Sequence, residues 1–231
     1  QQMSAVAVSQ SNYIPWKGYF ELINKVDKFV VFDTVQFTKR DWRNRNKIIG
    51  TSGDPIWLSI PVKSKTNSKS LIKDICVVDN KWRHKHFATI QSSYKKSEFF
   101  SQYEQTFKDL YFGSDEHNLS KINLMFIKKI CEILEINTTI FLSSEYECNL
   151  SATEKLLKEC TKYQATKYIS GPSANSYLDL EKFNLSNIDV CFMNYTTNDT
   201  YSQKSHVFTH YVSVLDLIFN VGPGAKKHIG N

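Results

Sequence analysis

Short apolar runs and amphipathic stretches alternate from the start of the chain. Residues 5–9 and 28–33 are apolar runs that predict buried strands, and residues 19–26 carry apolar side chains at helical spacing. Pro15 suits the first turn of this helix, where its missing backbone N–H is not needed. This order predicts a β–α–β unit in which a right-handed crossover joins two parallel strands.

The alternation of strands and helices continues to the end of the chain. Ser151 and Glu154 have the spacing of a capping box, which opens a helix reaching about residue 163. The other predicted elements are strands over 55–62, 71–79, 138–144, 167–170 and 189–195, helices over 82–134, and a helix over 211–222 with Gly222 near its C-cap. We therefore expect an α/β fold, with a mostly parallel sheet flanked by helices. It forms a single domain over residues 3–231, with a helical insertion near 82–135.

The composition is ordinary for a soluble globular protein, with 41% hydrophobic and 23% charged residues among 231. No apolar run approaches the roughly 18–20 residues that span a bilayer, and no secretory leader is evident, so we expect a cytoplasmic protein without a membrane partner. The cysteines are odd in number and scattered, which favours reduced thiols and no metal centre. They are Cys76, Cys131, Cys148, Cys160 and Cys191.

The formal net charge is +6, which is a modest excess of basic residues. A basic surface suits an anionic partner, and a phosphorylated small molecule fits as well as a nucleic acid does. A charge of +6 over 231 residues is low for a protein that binds nucleic acid, so nucleic acid is the less favoured partner.

Three unusual stretches directly follow predicted strands, at residues 9–20, 33–48 and 170–178. Ligands of open parallel sheets bind at the carboxyl ends of the strands. We therefore expect these stretches to meet in one site.

In the first stretch, polar Gln10 and Asn12 stand where a strand end would otherwise supply core residues. Trp16, Lys17 and Gly18 follow at the start of the predicted helix, and Gly18 permits a close approach to a ligand. We expect all five to bind substrate, although Trp16 could instead belong to the core.

The second stretch is rich in arginine, and Arg43, Asn44 and Arg45 are its candidate binding residues. Arginine presents planar, bidentate donors to phosphate or carboxylate, so this stretch could hold a diphosphate. The alternative is a solvated basic loop that packs one tryptophan.

The third stretch combines a glycine with small polar residues ahead of a helical turn, and its backbone N–H groups could cradle an anion. Its candidates are Ser170, Gly171, Ser173, Asn175 and Tyr177. We expect Gly171 to resist substitution if the turn requires positive φ. Elsewhere, Gln203 could bind the edge of a sugar or base, or could instead cap the last helix.

Three side chains are candidate general acids or bases, namely Asp33, Asp41 and His84. Histidine titrates near neutral pH, although a solvated polar face is an alternative role for His84. His84 and His86 are two positions apart and do not share one face of a helix, so the pair is not expected to chelate a metal.

Four blocks of residues together resemble the WbqC-like protein family. They read QSNYIPWKGYFELI, FDTVQFTKRDWRNRNKI, YISGPSANSYLD and YSQ…F…SVLDLIFNVGP, in this order between residues 6 and 224. The resemblance implies a bacterial enzyme encoded with O-antigen (lipopolysaccharide) genes. It would be a transferase that moves an acyl or aminoacyl group, such as glycyl, to the amino group of a dTDP- or UDP-linked amino sugar.

A more remote likeness connects the first β–α–β unit with the HxGH nucleotidyltransferase-like fold. The four aligned positions are here residues 16–19, and both histidines are missing, although Lys17 could supply positive charge. An ATP-dependent ligase or nucleotidylyltransferase is therefore an alternative function, with ATP rather than an acyl donor as the co-reactant. A nucleic-acid-binding protein is a second alternative, because arginine interleaved with tryptophan can stack bases.

Overall fold

The computed structural model describes residues 3–63, 69–147, 149–195 and 197–230. In this part of the chain the strands are β1 (Ala5–Ser9), β2 (Lys28–Val31), β3 (Arg45–Ile49), β4 (Pro55–Ser59), β5 (Val62–Lys63), β6 (Cys76–Val77), β7 (Thr139–Leu142), β8 (Lys167–Ser170) and β9 (Asp189–Phe192). The α-helices are α1 (Lys17–Asn24), α2 (Lys81–Tyr94), α3 (Phe100–Phe112), α4 (Leu119–Ile133), α5 (Ala152–Lys162), α6 (Leu180–Leu185) and α7 (Val214–Val221). Short 3-10 helices cover Ile72–Asp74, Pro172–Ser176 and Gly222–His228.

The centre of the fold is a parallel sheet with the strand order β7-β2-β1-β8-β9. The predicted strands of this sheet are all present, which confirms the α/β class. From β1 the chain proceeds outward through β2 to β7, and α5 then carries it back across to β8 on the other side of β1. The order therefore reverses between β1 and β8, and a crevice is expected at the carboxyl ends of these two strands.

Both faces of the sheet are covered, as a parallel sheet requires. Ala7 and Ile169 belong to the larger buried cluster, which extends into α2, α3 and α4. Val8 and Tyr168, one position away, pack in a smaller cluster with side chains of α5 and α6. Strand residues alternate between the two clusters because successive side chains point to opposite faces.

The predicted helical insertion consists of α2, α3 and α4, which lie between β6 and β7. The predicted capping box is also confirmed, since Ser151 and Glu154 each accept a hydrogen bond from the other residue's backbone N–H. Gly222 has a φ of 65° and directly follows α7 as its C-cap. No helix in the described ranges has the length and hydropathy that crossing a bilayer would require.

Several sequence-based boundaries were wrong. The strand expected over residues 55–62 ends at Ser59, and Val62 begins a separate strand. Pro15 lies outside α1, because Trp16 is the N-cap and Lys17 is the first helical residue. The last helix begins at Val214 instead of residue 211, where Ser213 caps it by accepting the Leu215 N–H. Residues 71–79 form a 3-10 helix and the short β6 instead of one strand. Ile72 and Ile75, three positions apart, are both buried, which is the spacing of a 3-10 turn.

The arginine-rich stretch is shorter than expected, because it becomes β3 at Arg45. β3 pairs with β4 in an antiparallel hairpin, with Arg45 opposite Ser59. Arg45 and Lys47 lie over the Trp57 ring, at 4.2 and 4.8 Å from its centroid, while Asn46 between them is buried. β3 was not predicted because of its polar composition, although its alternate side chains face opposite ways as in any strand.

The described cysteines are free thiols. Cys131 and Cys160 are buried, and burial raises the pKa of each thiol to about 12. Cys76 and Cys191 are half-buried. Cys148 lies outside the described residues.

Candidate functional site

A cleft of about 480 Å³ opens at the carboxyl ends of β1 and β8, where the strand order reverses. Its volume is within the range of small-molecule sites, roughly 300–1,000 Å³. Side chains from each of the three predicted stretches line it, so the structure brings these stretches together. The predicted binding residues in its wall are Gln10, Asn12, Trp16, Arg43, Ser170, Gly171, Ser173 and Tyr177.

Arg43 is the charged side chain among the described residues that line the cleft. It is 8% exposed, and its buried Nε has no hydrogen-bond partner within the described ranges. Its Nη2 lies 3.4 Å from Asp41 Oδ1, and Asn123 Nδ2 donates to its carbonyl oxygen at 2.8 Å. A buried guanidinium with an unused donor is suited to an anionic ligand.

Asp41 supports Arg43 from outside the cleft wall. Partial burial of its carboxyl favours the neutral form, but this is outweighed by the Arg43 guanidinium and by hydrogen bonds from the Trp42 N–H and the Thr38 hydroxyl. The pKa of Asp41 is therefore lowered. The anionic form is the stable one, which positions and partly neutralises Arg43.

Asp33 is also behind the cleft, at the end of β2. It is 3% exposed; its Oδ1 accepts the Ser11 N–H at 2.8 Å, and its Oδ2 accepts the Ser120 hydroxyl. Asn123 donates to Ser11 Oγ at 3.0 Å in the same network. Asp33 therefore fixes the loop after β1, and it does not line the cleft.

The loop after β1 is held in a strained conformation. Ile14 has a φ of 36°, which is an outlier for a β-branched residue. Asn46 Nδ2 donates to the carbonyl oxygens of Tyr13 and Ile14 at 3.1 and 3.0 Å, and the Tyr13 N–H donates to the Trp42 carbonyl oxygen at 3.1 Å. The β3 strand therefore clamps the loop that carries Asn12 and Trp16.

An aromatic group forms one side of the cleft. The Trp16 ring lies 4.9 Å from the Tyr195 ring and 5.5 Å from the Tyr211 ring. It also covers Gly18, where an added Cβ would overlap the indole. Gly18 is therefore needed for the position of Trp16, and it does not itself line the cleft. Burial, with a smaller contribution from Glu21, raises the pKa of Tyr195 to about 12.

The Gly171 turn differs from its prediction. Gly171 has a φ of −62°, which every residue type adopts, so positive φ is not required. A Cβ at this position would have Tyr195 OH, at 3.7 Å, as its nearest neighbour. Since Gly171 lines the cleft, a larger side chain there would occupy ligand space without straining the backbone.

A second cavity, of about 240 Å³, adjoins the cleft. We call it the aromatic slot, and its lining residues are Asn12, Trp16, Trp42, Asn46 and Tyr211. Asn12 and Trp16 line both cavities, so the two spaces share a wall.

Several predicted binding residues are engaged elsewhere. Lys17 donates to the His228 carbonyl oxygen at 3.3 Å and lies 3.7 Å from Glu21. Asn44 donates to the Ile60 carbonyl oxygen at 2.9 Å, and Arg45 lies over Trp57. None of these residues lines the cleft.

Three further candidates lie away from the cleft. Gln203 donates to Asp216 Oδ2 at 2.6 Å and accepts the Thr209 N–H at 3.0 Å, so its amide belongs to a buried network beneath α7. His84 is exposed on α2, with its ring 4.7 Å from that of Phe112. Asn175 is exposed and does not contribute to the cleft wall.

Four residues of the cavity walls were not predicted from the sequence: Tyr195, Trp42 and Tyr211, whose rings face the cavities, and Asn46, which positions the loop after β1. Tyr195 follows β9, so the rule about strand ends would have included it. Trp42 and Asn46 lie inside the arginine-rich stretch, where the candidates were chosen mainly for their charge. Tyr211 has no signal of its own, because only the packing of α7 against β3 brings it near Trp16.

The chain matches the WbqC-like protein family over residues 10–228. It is also 38% identical over 227 residues to Uncharacterized protein Rv1507c of Mycobacterium tuberculosis (strain ATCC 25618 / H37Rv), and the match covers 98% of each chain. No solved structure matches the chain, so the likeness to the HxGH fold stays a prediction.

Proposed function

We propose, since the chain belongs to the WbqC-like protein family, that it is an enzyme of bacterial surface-polysaccharide (O-antigen) synthesis. The reaction is transfer of an acyl or aminoacyl group, such as glycyl, to the amino group of a nucleotide-linked amino sugar. The observation that carries the proposal is the cleft where the strand order reverses, with buried Arg43 in its wall.

The cleft suits an anionic ligand. Arg43 is a buried cation whose Nε has no partner among the described residues, so a diphosphate fits there. Gln10, Ser170 and Ser173 add polar groups to the wall around it, as hydroxyl-bearing sugars require.

In the proposed reaction the sugar nitrogen attacks the carbonyl carbon of an activated donor, such as a thioester or an aminoacyl ester. A C–N bond forms, the bond from carbon to the departing sulfur or oxygen breaks, and the nitrogen loses one proton. Among the described lining residues there is no carboxylate or imidazole, and Tyr195 with a pKa of about 12 is neutral at physiological pH. We therefore assign that proton to the departing thiolate or alkoxide, and assign to the cleft the alignment of the two reactants.

The test combines binding with product analysis. Purified protein is titrated with UDP- and dTDP-linked amino sugars, and is then incubated with each sugar and candidate thioester or aminoacyl donors. Mass spectrometry should show an amide-linked product. The proposal would be contradicted if the protein bound none of the nucleotide sugars, or if it released pyrophosphate from ATP in the presence of an amino-sugar acceptor. The second result would favour the ligase alternative.

A further inference from the structure

The aromatic slot has the size and walls of a subsite for one flat ring. Its volume of about 240 Å³ is below the range for a whole drug-sized ligand. Trp16, Trp42 and Tyr211 provide three aromatic faces or edges around it. Such faces stack on planar rings with little dependence on sequence or substituent.

The two outer aromatic side chains of the slot are more exposed than side chains of the hydrophobic core. Trp42 is 40% exposed and Tyr211 is 65% exposed. Both are held in place, because Tyr211 packs at 5.5 Å on Trp16 and Trp42 packs at 5.6 Å on Trp57. Pre-ordered aromatic side chains bind a ring at a small entropic cost.

The slot also has an unused hydrogen-bond acceptor. Asn12 Oδ1 is buried and has no partner within the described ranges. The amide of the other lining asparagine, Asn46, is already bonded to the Tyr13 and Ile14 carbonyl oxygens and to the Lys47 N–H. A buried acceptor without a donor is costly, so a ligand N–H or O–H would be favoured at Asn12.

The slot and the cleft are lined by shared and neighbouring residues of the chain. Trp42 lines the slot, Arg43 lines the cleft, and Asn12 and Trp16 line both. A molecule whose phosphates contact Arg43 can therefore extend a ring past Asn12 into the slot. Nucleotides have this arrangement, with one ribose between the phosphates and the base.

We propose that the aromatic slot binds the nucleobase of the nucleotide whose phosphates contact Arg43; this inference rests on the nucleotide-linked substrate of the proposed function. The base stacks on Trp42, and its N–H donates to Asn12 Oδ1. Uracil and thymine fit best, because their N3–H is a donor flanked by carbonyl groups that the Asn12 amide nitrogen can bind.

The decisive experiment is calorimetric titration of wild type, Trp42→Ala and Phe112→Ala with UDP, dTDP, inorganic pyrophosphate and glucosamine 1-phosphate. Phe112 is the control because it is a 37% exposed aromatic side chain that packs on His84 and Phe87 and lines neither the slot nor the cleft. We expect Trp42→Ala to weaken UDP and dTDP binding by about 5- to 150-fold, as loss of base stacking does. Its pyrophosphate affinity should stay within about twofold, because that ligand has no ring, and Phe112→Ala should bind UDP as the wild type does.

Four results would overturn the inference. These are absence of UDP and dTDP binding to the wild type, unchanged UDP affinity in Trp42→Ala, an equal loss in Trp42→Ala and Phe112→Ala, or a loss confined to glucosamine 1-phosphate, which would place the hexose in the slot. If Trp42→Ala does not fold, Tyr211→Ala serves as the second slot variant.

Base binding and acyl transfer can fail separately. Ring-dependent UDP binding without any amide product would refute the proposed reaction and leave the nucleobase subsite standing. Amide formation that is indifferent to Trp42→Ala at limiting substrate would refute the subsite alone.

Discussion

Arg43 and Arg45 are two positions apart in sequence and have different surroundings. Each has a buried Nε without a hydrogen-bond partner among the described residues, but Arg43 is 8% exposed in the cleft wall, whereas Arg45 does not line the cleft and lies over Trp57. Their different positions follow from strand geometry, because β3 begins at Arg45. Only Arg43 is placed to bind a ligand in the cleft.

We expect Arg43→Ala to weaken binding of pyrophosphate and of nucleotide sugars by about 10- to 150-fold, since a hydrogen bond to a charged group contributes about 1.5–3 kcal/mol. Arg45→Ala, with the same charge change, should leave both affinities within about twofold. Calorimetry of the two variants checks this, and an equal loss in both would mean that long-range charge, rather than contact, is responsible.

Gly18 and Gly171 provide a second residue-scale contrast. A Cβ at Gly18 would overlap Trp16, whereas at Gly171 the nearest atom would be 3.7 Å away. Gly18→Ala should therefore destabilise the protein by about 1–3 kcal/mol, as overpacking does. Gly171→Ala should unfold at the wild-type midpoint. Urea denaturation compares them, and a stable Gly18→Ala variant would show that Trp16 can move aside.

At the scale of elements, the β3–β4 hairpin acts as a clamp on the loop after β1. Asn46 bonds two carbonyl oxygens of that loop, one of them at the strained Ile14. Strain of this kind persists only where surrounding contacts impose it. The hairpin therefore sets the positions of Asn12 and Trp16, which line both cavities.

Asn46→Asp tests the clamp, because it keeps the side-chain size and the acceptor for the Lys47 N–H but replaces the amide donor with an oxygen that repels two carbonyl oxygens. We expect a loss of about 1–3 kcal/mol in the free energy of unfolding. The same change at exposed Asn175 is the control and should be neutral. Chemical denaturation measures both, and equal stabilities would show that the loop holds its shape unaided.

At the scale of the whole molecule, a buried hydrogen-bonded chain connects the loop after β1 to the helical insertion. Tyr13 OH lies 2.8 Å from His86 Nδ1 and 2.5 Å from Tyr111 OH, and His86 Nε2 lies 3.0 Å from the Ser59 carbonyl oxygen. Burial lowers the pKa of His86 to about 4 from an ordinary value of 6.5. The folded state therefore contains a neutral imidazole at pH values where the unfolded chain is protonated.

Acid should destabilise the fold through this histidine. Between pH 6.5 and about 4 the unfolded chain binds the additional proton, so the free energy of unfolding falls as the pH falls through that window. Across the whole window, the proton uptake of this histidine lowers the free energy of unfolding by about 3 kcal/mol. His86→Gln should give a less stable protein with a shallower pH dependence, while His84→Gln, at an exposed position, should keep the wild-type slope. Urea midpoints from pH 4 to 7 check this, and equal slopes in all three proteins would contradict it.

Much of the fold could be predicted because each strand and helix carries its own periodic pattern. The strands of the central sheet are short apolar runs, and the capping box of α5 is a local signal. β3 could not be predicted, because its buried residues Asn46 and Ile48 alternate with Arg45 and Lys47, and a strand with this polarity resembles a loop. Residues 71–79 gave the opposite error, since a strand was predicted where the chain forms a turn. A turn packed on α4 can carry apolar residues at a spacing that resembles a strand.

The chain by itself determined which residues follow the strands of a parallel sheet, and this located the cleft through Gln10, Arg43 and Gly171 before any contact was known. Only the tertiary structure decided which side chains face it. Lys17 turns to Glu21 and the last 3-10 helix, Gln203 is engaged by Asp216, and Tyr211 reaches Trp16 from a distant part of the chain. The physical reason is that strand ends are set by local backbone pattern, whereas the direction of a polar side chain is set by the partner that satisfies it when water is excluded.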